Sequence, residues 1–360
     1  MAYATLYLVR EKAPERFIPD WETFVAGIEQ EQIDHLNKHY FDRNLGWDYP
    51  SNFTSTRTNV AGQEWHLSTN AVGARRNPLF PDGANVDIAT FGDSFTFGDE
   101  VNDDQTWQYY LSQMTGLHVG NYGVGGYGLD QMLLKYEEVS WLGREPSTII
   151  LMVYEHDINR AISRYRPALF HRSKQYLAFK PRFLLTEEGK LTLLPSVKTA
   201  PVKDADDLLR LIGEARDHDE WYVRLIEINF PYLLNVAKLA WSLMNDGNEN
   251  LWESHIQLAD AIIDRFFSET DEQGEQPVLV FVPIFERGGG TPPYREFLRR
   301  LRIERSGTPI IDLAEEDIDA DRFRILPDRG HASAYGNCVI ARIIAEAISF
   351  ATSDVDCNAL

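Results

Sequence analysis

The sequence predicts an α/β fold: a flavodoxin-like three-layer α/β/α sandwich with a five-stranded parallel sheet, plus an N-terminal extension and a largely helical insertion. Short apolar and β-branched runs alternate with stretches of helical periodicity, and this alternation stops near residue 159 and resumes near residue 277. Strands that alternate with helices form parallel sheets covered on both faces. The 360 residues, 44% of them hydrophobic, suffice to bury a sizeable core.

Five apolar runs are the predicted strands, and four amphipathic runs are the helices that accompany them. The strands are predicted at 86–91, 118–121, 148–153, 278–283 and 309–313, and the helices at 104–114, 129–141, 294–304 and 332–350. In open α/β sheets a ligand binds beyond the carboxyl ends of the strands, where the strand order switches. We therefore expect the functional residues to follow these strands.

The domain organisation follows from the interruption of this pattern. Residues 1–85 are predicted to be an N-terminal extension packed on the core, with a helix over about 20–40 and then an irregular stretch. Residues 86–158 and 277–352 form the core domain, residues 159–276 the insertion, and residues 353–360 a tail. Within the insertion we expect a hairpin at 183–194 and helices at 208–244 and 251–267, whose Trp and Leu spacing indicates core packing.

Charge and hydropathy restrict the partners. The formal net charge is −20 and the sequence contains no basic run, so its field opposes binding to nucleic acid or to an anionic membrane surface. Residues 1–10 are apolar over too short a length for a signal peptide or a membrane span. We expect a cytoplasmic protein as the chain is written, and the sequence leaves open an exported or membrane-anchored longer form.

Two cysteines are present, Cys338 in the last predicted helix and Cys357 near the chain end. They have neither metal-ligand spacing nor the pattern of a disulfide framework. We expect two buried or idle thiols.

The first chemical motif is Gly92-Asp93-Ser94, at the end of the first core strand and four residues before Gly98. A nucleophilic hydroxyl belongs at a strand's carboxyl end, on a tight turn that exposes Oγ and gathers backbone N–H groups. Flanking glycines allow such a turn. A plain strand-to-helix turn uses the same residue types, and this alternative stays open.

The second motif is Asp328-Arg329-Gly330-His331, directly before the last helix. Histidine supplies a base near neutral pH, and a carboxylate holds its tautomer and stabilises the imidazolium. One loop could deliver both groups. In the alternative interpretation Asp328 or Ser333 caps the helix and His331 is a surface residue.

The third motif is the glycine-rich run from Asn121 to Gly128, after the second strand. It lacks the lysine of a phosphate loop and follows the wrong strand for a dinucleotide fingerprint. It could donate a backbone N–H to an oxyanion, or it could be a flexible connection. Upstream, Arg75 is a candidate for contact with an anionic substrate group, or for a structural salt bridge.

In this order along the chain, the three motifs resemble the SGNH/GDSL hydrolase superfamily of esterases and lipases, over residues 86–157 and 278–350. The resemblance implies that Ser94 is the nucleophile, His331 the general base and Asp328 the residue that orients it. It also implies that neither a metal nor an organic cofactor is needed.

The family pattern Asn-x-x-x-x-Gly matches Asn121 to Gly126. The resemblance makes the Gly126 N–H an oxyanion donor together with the Ser94 N–H. Asn121 and Arg75 are the further candidates for substrate contact.

The sequence departs from the family after the third strand, where Gly-x-Asn-Asp is expected and Tyr154-Glu155-His156-Asp157 is found. His156 replaces the asparagine that is the third oxyanion donor, and a ring N–H can take that role. Loss of such a donor lowers kcat by about 10²–10³-fold. A shift of the chain by a residue or two would instead place Glu155 or Asp157 in the pocket and turn His156 into the packing.

These residues predict a serine ester hydrolase that acts through an acyl-enzyme on a small-molecule or carbohydrate ester. An acyl group on a carbohydrate is our first expectation, and it rests on the resemblance alone. An acyltransferase with the same residues is one alternative. A non-catalytic binding or scaffold protein that kept the fold is the other, and the His156 substitution is its main support.

Overall fold

The structure, a computed structural model, describes residues 2–12, 16–139, 146–169, 177–228, 232–244, 249–284, 294–327, 330–349, 353 and 355–360. The α-helices are α1 Ala2–Lys12, α2 Trp21–Ala26, α3 Gln30–Tyr40, α4 Ser94–Phe97, α5 Trp107–Thr115, α6 Leu129–Glu138, α7 Glu155–Arg160, α8 Arg166–Leu169, α9 Ala205–Ala215, α10 Glu220–Arg224, α11 Tyr232–Met244, α12 Glu249–Gln273, α13 Arg295–Glu304, α14 Ala320–Phe323 and α15 Ala334–Ala347. The strands are β1 Phe41–Asp42, β2 Gly46–Trp47, β3 Thr54–Thr58, β4 Glu64–Ser68, β5 Ile88–Gly92, β6 Val119–Asn121, β7 Thr148–Tyr154, β8 Arg182–Leu185, β9 Leu191–Leu194, β10 Gln276–Val282 and β11 Ile310–Asp312.

The central sheet confirms the predicted fold class. Its five strands are all parallel and lie in the order β11-β10-β7-β5-β6. Counted along the chain from β5, this is the order 2-1-3-4-5 of flavodoxin-like sheets. The next two strands along the chain, β6 and β7, lie on opposite sides of β5 in the sheet. The switch in strand order therefore lies between the carboxyl ends of β5 and β7.

The residues group into two compact units, one of residues 1–48 and 159–258 and one of residues 49–158 and 259–360. This grouping differs from the segments set out from the sequence. The predicted N-terminal extension is divided, because residues 49–85 belong with the sheet and residues 1–48 belong with most of the insertion.

The first unit is mostly helical, and the hairpin predicted within it is present as the antiparallel pair β8–β9. The helix predicted over 20–40 is two helices. Asp20 caps the first through the Thr23 N–H, and a capping box of Glu29 and Gln32 begins the second. The core of this unit includes Val25, Ile33, Tyr165, Phe179, Leu208, Leu211, Ile212 and Tyr222.

The second unit contains the parallel sheet and a hairpin that the sequence analysis missed. Strands β3 and β4 pair antiparallel, in the stretch predicted to be irregular. The β3 sequence, Thr-Ser-Thr-Arg-Thr, has no apolar residue, and it alternates between exposed and half-buried positions. The alternation of apolar and polar residues that marks a half-buried strand is therefore missing from β3.

Helices α5 and α15 cover one face of the sheet, and the core between them is apolar. Its members include Ile88, Trp107, Leu111, Ile150, Met152, Val278, Val280, Val339, Ile340 and Ile344. All seven residues of β7 are buried, which is the pattern of a central strand covered on both faces.

The expectation of two unpaired thiols was wrong, because Cys338 and Cys357 form a disulfide. Cys338 is fully buried in α15, and the chain end folds back to place Cys357, 1% exposed, beside it. Their Cα atoms are 5.6 Å apart. A pairing of two cysteines depends on where the tail packs, and the spacing alone does not reveal it.

Among the described helices, none combines the length and the apolar character needed to cross a lipid bilayer.

Candidate active site

Ser94 is the first residue of α4 and follows β5 directly. All five residues of β5 are buried, so the sheet fixes the end of the strand. Asp93 caps α4 by accepting the Phe95 N–H at 2.9 Å. A Cβ on Gly92 would lie 2.6 Å from the Met152 carbonyl oxygen, so this turn requires glycine there. The local sequence thus places Ser94 on a tight strand-to-helix turn.

Ser94 is a buried residue at the end of β5. The residue is 7% exposed, and its hydroxyl donates to Asp93 Oδ2 at 3.3 Å. Because Ser94 begins α4, its backbone N–H has no acceptor within the helix. The hydroxyl and this N–H are therefore both brought to the carboxyl end of β5.

His331 lies in a loop that ends where α15 begins. The Ile325 N–H donates to the His331 carbonyl oxygen at 3.0 Å, and the Gly330 N–H donates to the Ile325 carbonyl oxygen at 3.0 Å. The imidazole is 29% exposed, and its ring centroid is 5.5 Å from that of Phe95. Since Phe95 follows Ser94, this contact brings the imidazole beside the serine turn.

The Glu100 carboxylate contacts both the side chain and the backbone N–H of His331. Glu100 Oε2 lies 3.0 Å from His331 Nδ1 and accepts the His331 backbone N–H at 3.0 Å. Oε1 accepts the Val60 N–H at 3.1 Å. A Cβ on Gly330 would lie 2.4 Å from Glu100 Oε2, so the glycine permits this close approach.

The two groups shift each other's pKa. Burial opposes ionisation of Glu100, but the hydrogen bonds from the His331 side chain and backbone outweigh it and lower the Glu100 pKa to about 2. Burial also disfavours the imidazolium. The hydrogen bond to Glu100 and the negative charges of Asp99, Glu100 and Asp93 outweigh burial and raise the pKa of His331. At neutral pH the carboxylate is therefore ionised and faces a histidine of increased basicity.

Glu100 is a functional candidate that the sequence analysis missed. The residue predicted to orient His331, Asp328, lies outside the described residues, as does Arg329. Glu100 comes six positions after Ser94, where the only sequence signal is an acidic residue just after the turn at Gly98. Its contact with a histidine 231 positions away is a property of the tertiary structure.

The glycine-rich run packs directly against the serine turn. Asn121 Nδ2 donates to the Phe97 carbonyl oxygen at 3.1 Å, and Asn121 Oδ1 accepts the Gly123 N–H at 3.1 Å. A Cβ on Gly123 would lie 2.4 Å from the Phe97 nitrogen. Asn121 is 3% exposed, so its amide braces the loop against α4. Gly126 is buried at the end of this run, with a φ of 82°.

Arg75 is buried beneath the same turn. Its Nη1 donates to the carbonyl oxygens of Phe97 and Gly98 at 2.8 and 2.5 Å. Its Nη2 donates to the Val101 carbonyl oxygen at 2.6 Å, and Nε forms a salt bridge of 2.8 Å with Asp103. Each nitrogen of the guanidinium thus binds the protein, and Arg75 supports the segment from Phe97 to Asp103, which includes Glu100.

His156 follows β7, on the other side of the switch in strand order. A row of aromatic contacts connects it to His331: the centroid distances are 5.5 Å from His331 to Phe95, 4.8 Å from Phe95 to Tyr154 and 5.1 Å from Tyr154 to His156. The end of β7 therefore belongs to the same cluster of side chains as the serine turn.

Glu155 and Asp157, the residues on either side of His156, are buried and accept hydrogen bonds from the backbone. Asp157 is fully buried and its Oδ2 accepts the Tyr154 N–H at 2.7 Å, while Glu155 is 2% exposed and its Oε2 accepts the Ile284 N–H at 3.4 Å. His156 is half-buried. Of these three polar residues, His156 has the side chain most accessible to a ligand.

In the portion of the chain that the structure describes, no three His, Cys, Asp or Glu side chains are grouped so as to hold a metal ion. The arrangement at the end of β5 and β7 is one of a hydroxyl, an imidazole paired with a carboxylate, and backbone N–H groups.

No protein-family model matches this chain. No curated protein matches it either. Among solved structures, a protein of Desulfitobacterium hafniense DCB-2 assigned to the lipolytic G-D-S-L family matches with 13% identity and a TM-score of 0.40, over 73% of this chain and 99% of that one.

Proposed function

We propose that this chain is a serine ester hydrolase of the SGNH/GDSL type, with Ser94 as the nucleophile and His331 as the general base. The observation that carries the proposal is the contact of Glu100 Oε2 with His331 Nδ1 at 3.0 Å, beside a strand-to-helix turn that bears a serine. A carboxylate on Nδ1 holds the tautomer whose Nε2 is free to accept a proton.

In the proposed mechanism, Ser94 Oγ attacks the ester carbonyl carbon and its proton passes to His331 Nε2. Glu100 stabilises the imidazolium that forms. The oxyanion accepts hydrogen bonds from the Ser94 N–H, the Gly126 N–H and a ring N–H of His156. The imidazolium then gives its proton to the leaving alkoxide, and the acyl group stays on Ser94. Water attacks this acyl-enzyme by the same route and releases the acid.

We assign the orienting carboxylate to Glu100, and Asp328 is the second candidate for it. The geometry supports Glu100, whose two oxygens are fixed by three hydrogen-bonding contacts. Asp328 is supported by its spacing in Asp-x-x-His.

The charge around the imidazole favours a neutral substrate. Asp93, Asp99 and Glu100 all act on His331 as negative charges, and the chain carries a net charge of −20. An anionic ester would be repelled from such a site. An acyl group on a neutral alcohol, such as a carbohydrate, fits this field.

A fluorophosphonate probe tests the proposal, because it labels an activated serine and leaves an inert one unmodified. We expect labelling at Ser94 in the unaltered protein and none in Ser94→Ala. This variant should also hydrolyse p-nitrophenyl acetate at less than about a tenth of the original rate, with an unchanged circular dichroism spectrum.

Ser51→Ala is the matched control, since Ser51 is an exposed serine of the same unit. It should label and turn over as the unaltered protein does. Absence of labelling and of hydrolysis in the unaltered protein would favour the non-catalytic alternative. Full activity in Ser94→Ala would remove Ser94 from the role of nucleophile.

A further inference from the structure

The guanidinium of Arg75 binds backbone carbonyl groups on both sides of Glu100. Its Nη1 binds the carbonyl oxygens of Phe97 and Gly98, and its Nη2 binds that of Val101. A guanidinium is planar and its N–H groups point in fixed directions. It therefore sets the positions of these carbonyl groups relative to one another, and with them the course of the chain through Glu100.

The chain between these carbonyl groups turns twice through the left-handed region. Gly98 has a φ of 77° and Glu100 a φ of 73°. Glycine adopts such angles freely, whereas glutamate does so only where contacts hold it there. A change to the usual negative φ would rotate the Glu100 side chain about its N–Cα bond and carry the carboxylate away from His331. The contact with His331 thus depends on the backbone angle that Arg75 helps to fix.

Arg75 is itself fixed to the sheet. Its backbone N–H donates to the carbonyl oxygen of Asn121, the last residue of β6, at 2.9 Å. Its side chain is 0% exposed, and Nε is held by Asp103 at 2.8 Å. A guanidinium so enclosed is not accessible to a substrate. It can act on the site only through the segment that it binds.

We infer that Arg75 is a positioning residue for the proposed reaction, because it holds Glu100 in the backbone conformation that places its carboxylate on His331 Nδ1. The inference rests on the proposed function of Ser94 and His331. Among the described residues, no hydrogen bond joins Arg75 to His331. The effect of Arg75 on the reaction should therefore pass through Glu100.

The substitution Arg75→Lys tests this role in the presence and in the absence of the Glu100 carboxylate. Lysine keeps the positive charge, but one ammonium group cannot reproduce the planar set of bonds. We expect kcat/KM for p-nitrophenyl acetate to fall about 10²-fold, through kcat and with KM little changed, because the reacting groups are misplaced and no substrate contact is lost. In a Glu100→Gln background the same substitution should cost less than about threefold.

The pKa of His331, measured by NMR titration of the imidazole, is a readout that needs no turnover. The hydrogen bond from Glu100 and the charges of Asp99, Glu100 and Asp93 raise this pKa. Displacing the Glu100 carboxylate should therefore lower it in Arg75→Lys. In Glu100→Gln, adding Arg75→Lys should leave it unchanged. If the unaltered protein hydrolyses no ester, the proposed function fails, and this titration still decides whether Arg75 positions Glu100.

Arg182→Lys is the matched control. The Arg182 side chain is 1% exposed and, like that of Arg75, binds backbone carbonyl groups and one carboxylate, but it belongs to the first unit. The same substitution there should lower the free energy of unfolding and leave both kcat/KM and the pKa of His331 as they are. The control thus separates loss of stability from loss of positioning.

A folded Arg75→Lys variant with the original kcat/KM and His331 pKa would overturn the inference, and so would a loss of equal size with and without the Glu100 carboxylate. If circular dichroism shows that Arg75→Lys does not fold, Asp103→Asn takes its place, because it removes the charge that orients the guanidinium. A cost that depends on Glu100 would support the role of Arg75. No cost, or one independent of Glu100, would refute it.

Discussion

Glu100 adopts a backbone conformation with a φ of 73°, which residues other than glycine seldom take. Such a conformation costs on the order of 1–3 kcal/mol and persists only where surrounding contacts hold it. Here the Val60 N–H and the backbone and side chain of His331 provide those contacts. Strained residues concentrate at functional sites, and this one bears the carboxylate that meets the imidazole.

The pair Glu100→Gln and Asp328→Asn separates the two candidates for the orienting carboxylate. Both changes are isosteric and remove one negative charge. We expect Glu100→Gln to lower kcat/KM for p-nitrophenyl acetate by about 10²–10⁴-fold, because the imidazolium loses its stabilising charge. Asp328→Asn should retain most of the activity. The reverse pattern would assign the role to Asp328.

The pH profile of the Glu100 variant provides a second readout. A general base acts in its neutral form, so kcat/KM should rise as the pH increases through the His331 pKa. Glu100 raises that pKa. Removing its charge should therefore move the acidic limb of the profile to lower pH, towards the ordinary histidine value of about 6.5. A limb that stays in place would mean that Glu100 does not act on the titrating base.

His156 is tested by the substitutions His156→Asn and His156→Ala. Asparagine offers an N–H donor at similar reach, whereas alanine offers none. We expect His156→Asn to remain active and His156→Ala to lose about 10²–10³-fold in kcat, the usual cost of an oxyanion donor. If both variants keep the original kcat/KM, His156 does not stabilise the oxyanion.

At the scale of elements, the C-terminal tail is tied to α15 by the Cys338–Cys357 disulfide, across a separation of 19 residues. A bridge that closes a loop of this length stabilises a fold by roughly 3 kcal/mol, mainly by restricting the unfolded chain. The double variant Cys338→Ala, Cys357→Ala should therefore have a lower free energy of unfolding by up to about that amount. Chemical denaturation of protein purified without reductant measures this difference.

Thiol titration of the unaltered protein in denaturant is the control for this experiment. It should find no free thiol before reduction and two after it. Reductant should lower the stability of the unaltered protein and leave that of the double variant unchanged. Two free thiols in the unreduced protein would contradict the pairing.

The β3–β4 hairpin shows how an element with little sequence signal can shape a site. Its residues Gln63, Glu64 and Trp65 line a cleft of about 390 Å³ beside Glu100. Asp103 anchors the hairpin by accepting the Ser68 N–H and hydroxyl at 3.2 and 2.5 Å. The hairpin thus depends on a distant segment for its position.

At the scale of the whole molecule, the parallel sheet brings distant segments of the chain to one edge. Ser94 follows β5 and His156 follows β7, so the switch in strand order between these neighbours sets them close together. The loop before α15 adds His331, which lies more than 230 positions after Ser94 in the chain. This is the location at which α/β sheets generally bind their ligands.

The sequence by itself determined the fold class and the strands of the sheet. Both follow from the spacing of apolar residues over short stretches of the chain, which can be seen without the structure. It also indicated Ser94, since Gly92-Asp93-Ser94 at a strand end is a local pattern. Only the tertiary structure decided the partner of His331, the Cys338–Cys357 bridge and the cleft at the β3–β4 hairpin. The first two are contacts between residues that lie far apart in the chain. The third depends on a hairpin whose first strand has no apolar residue. Such contacts are fixed by packing, which no local pattern records.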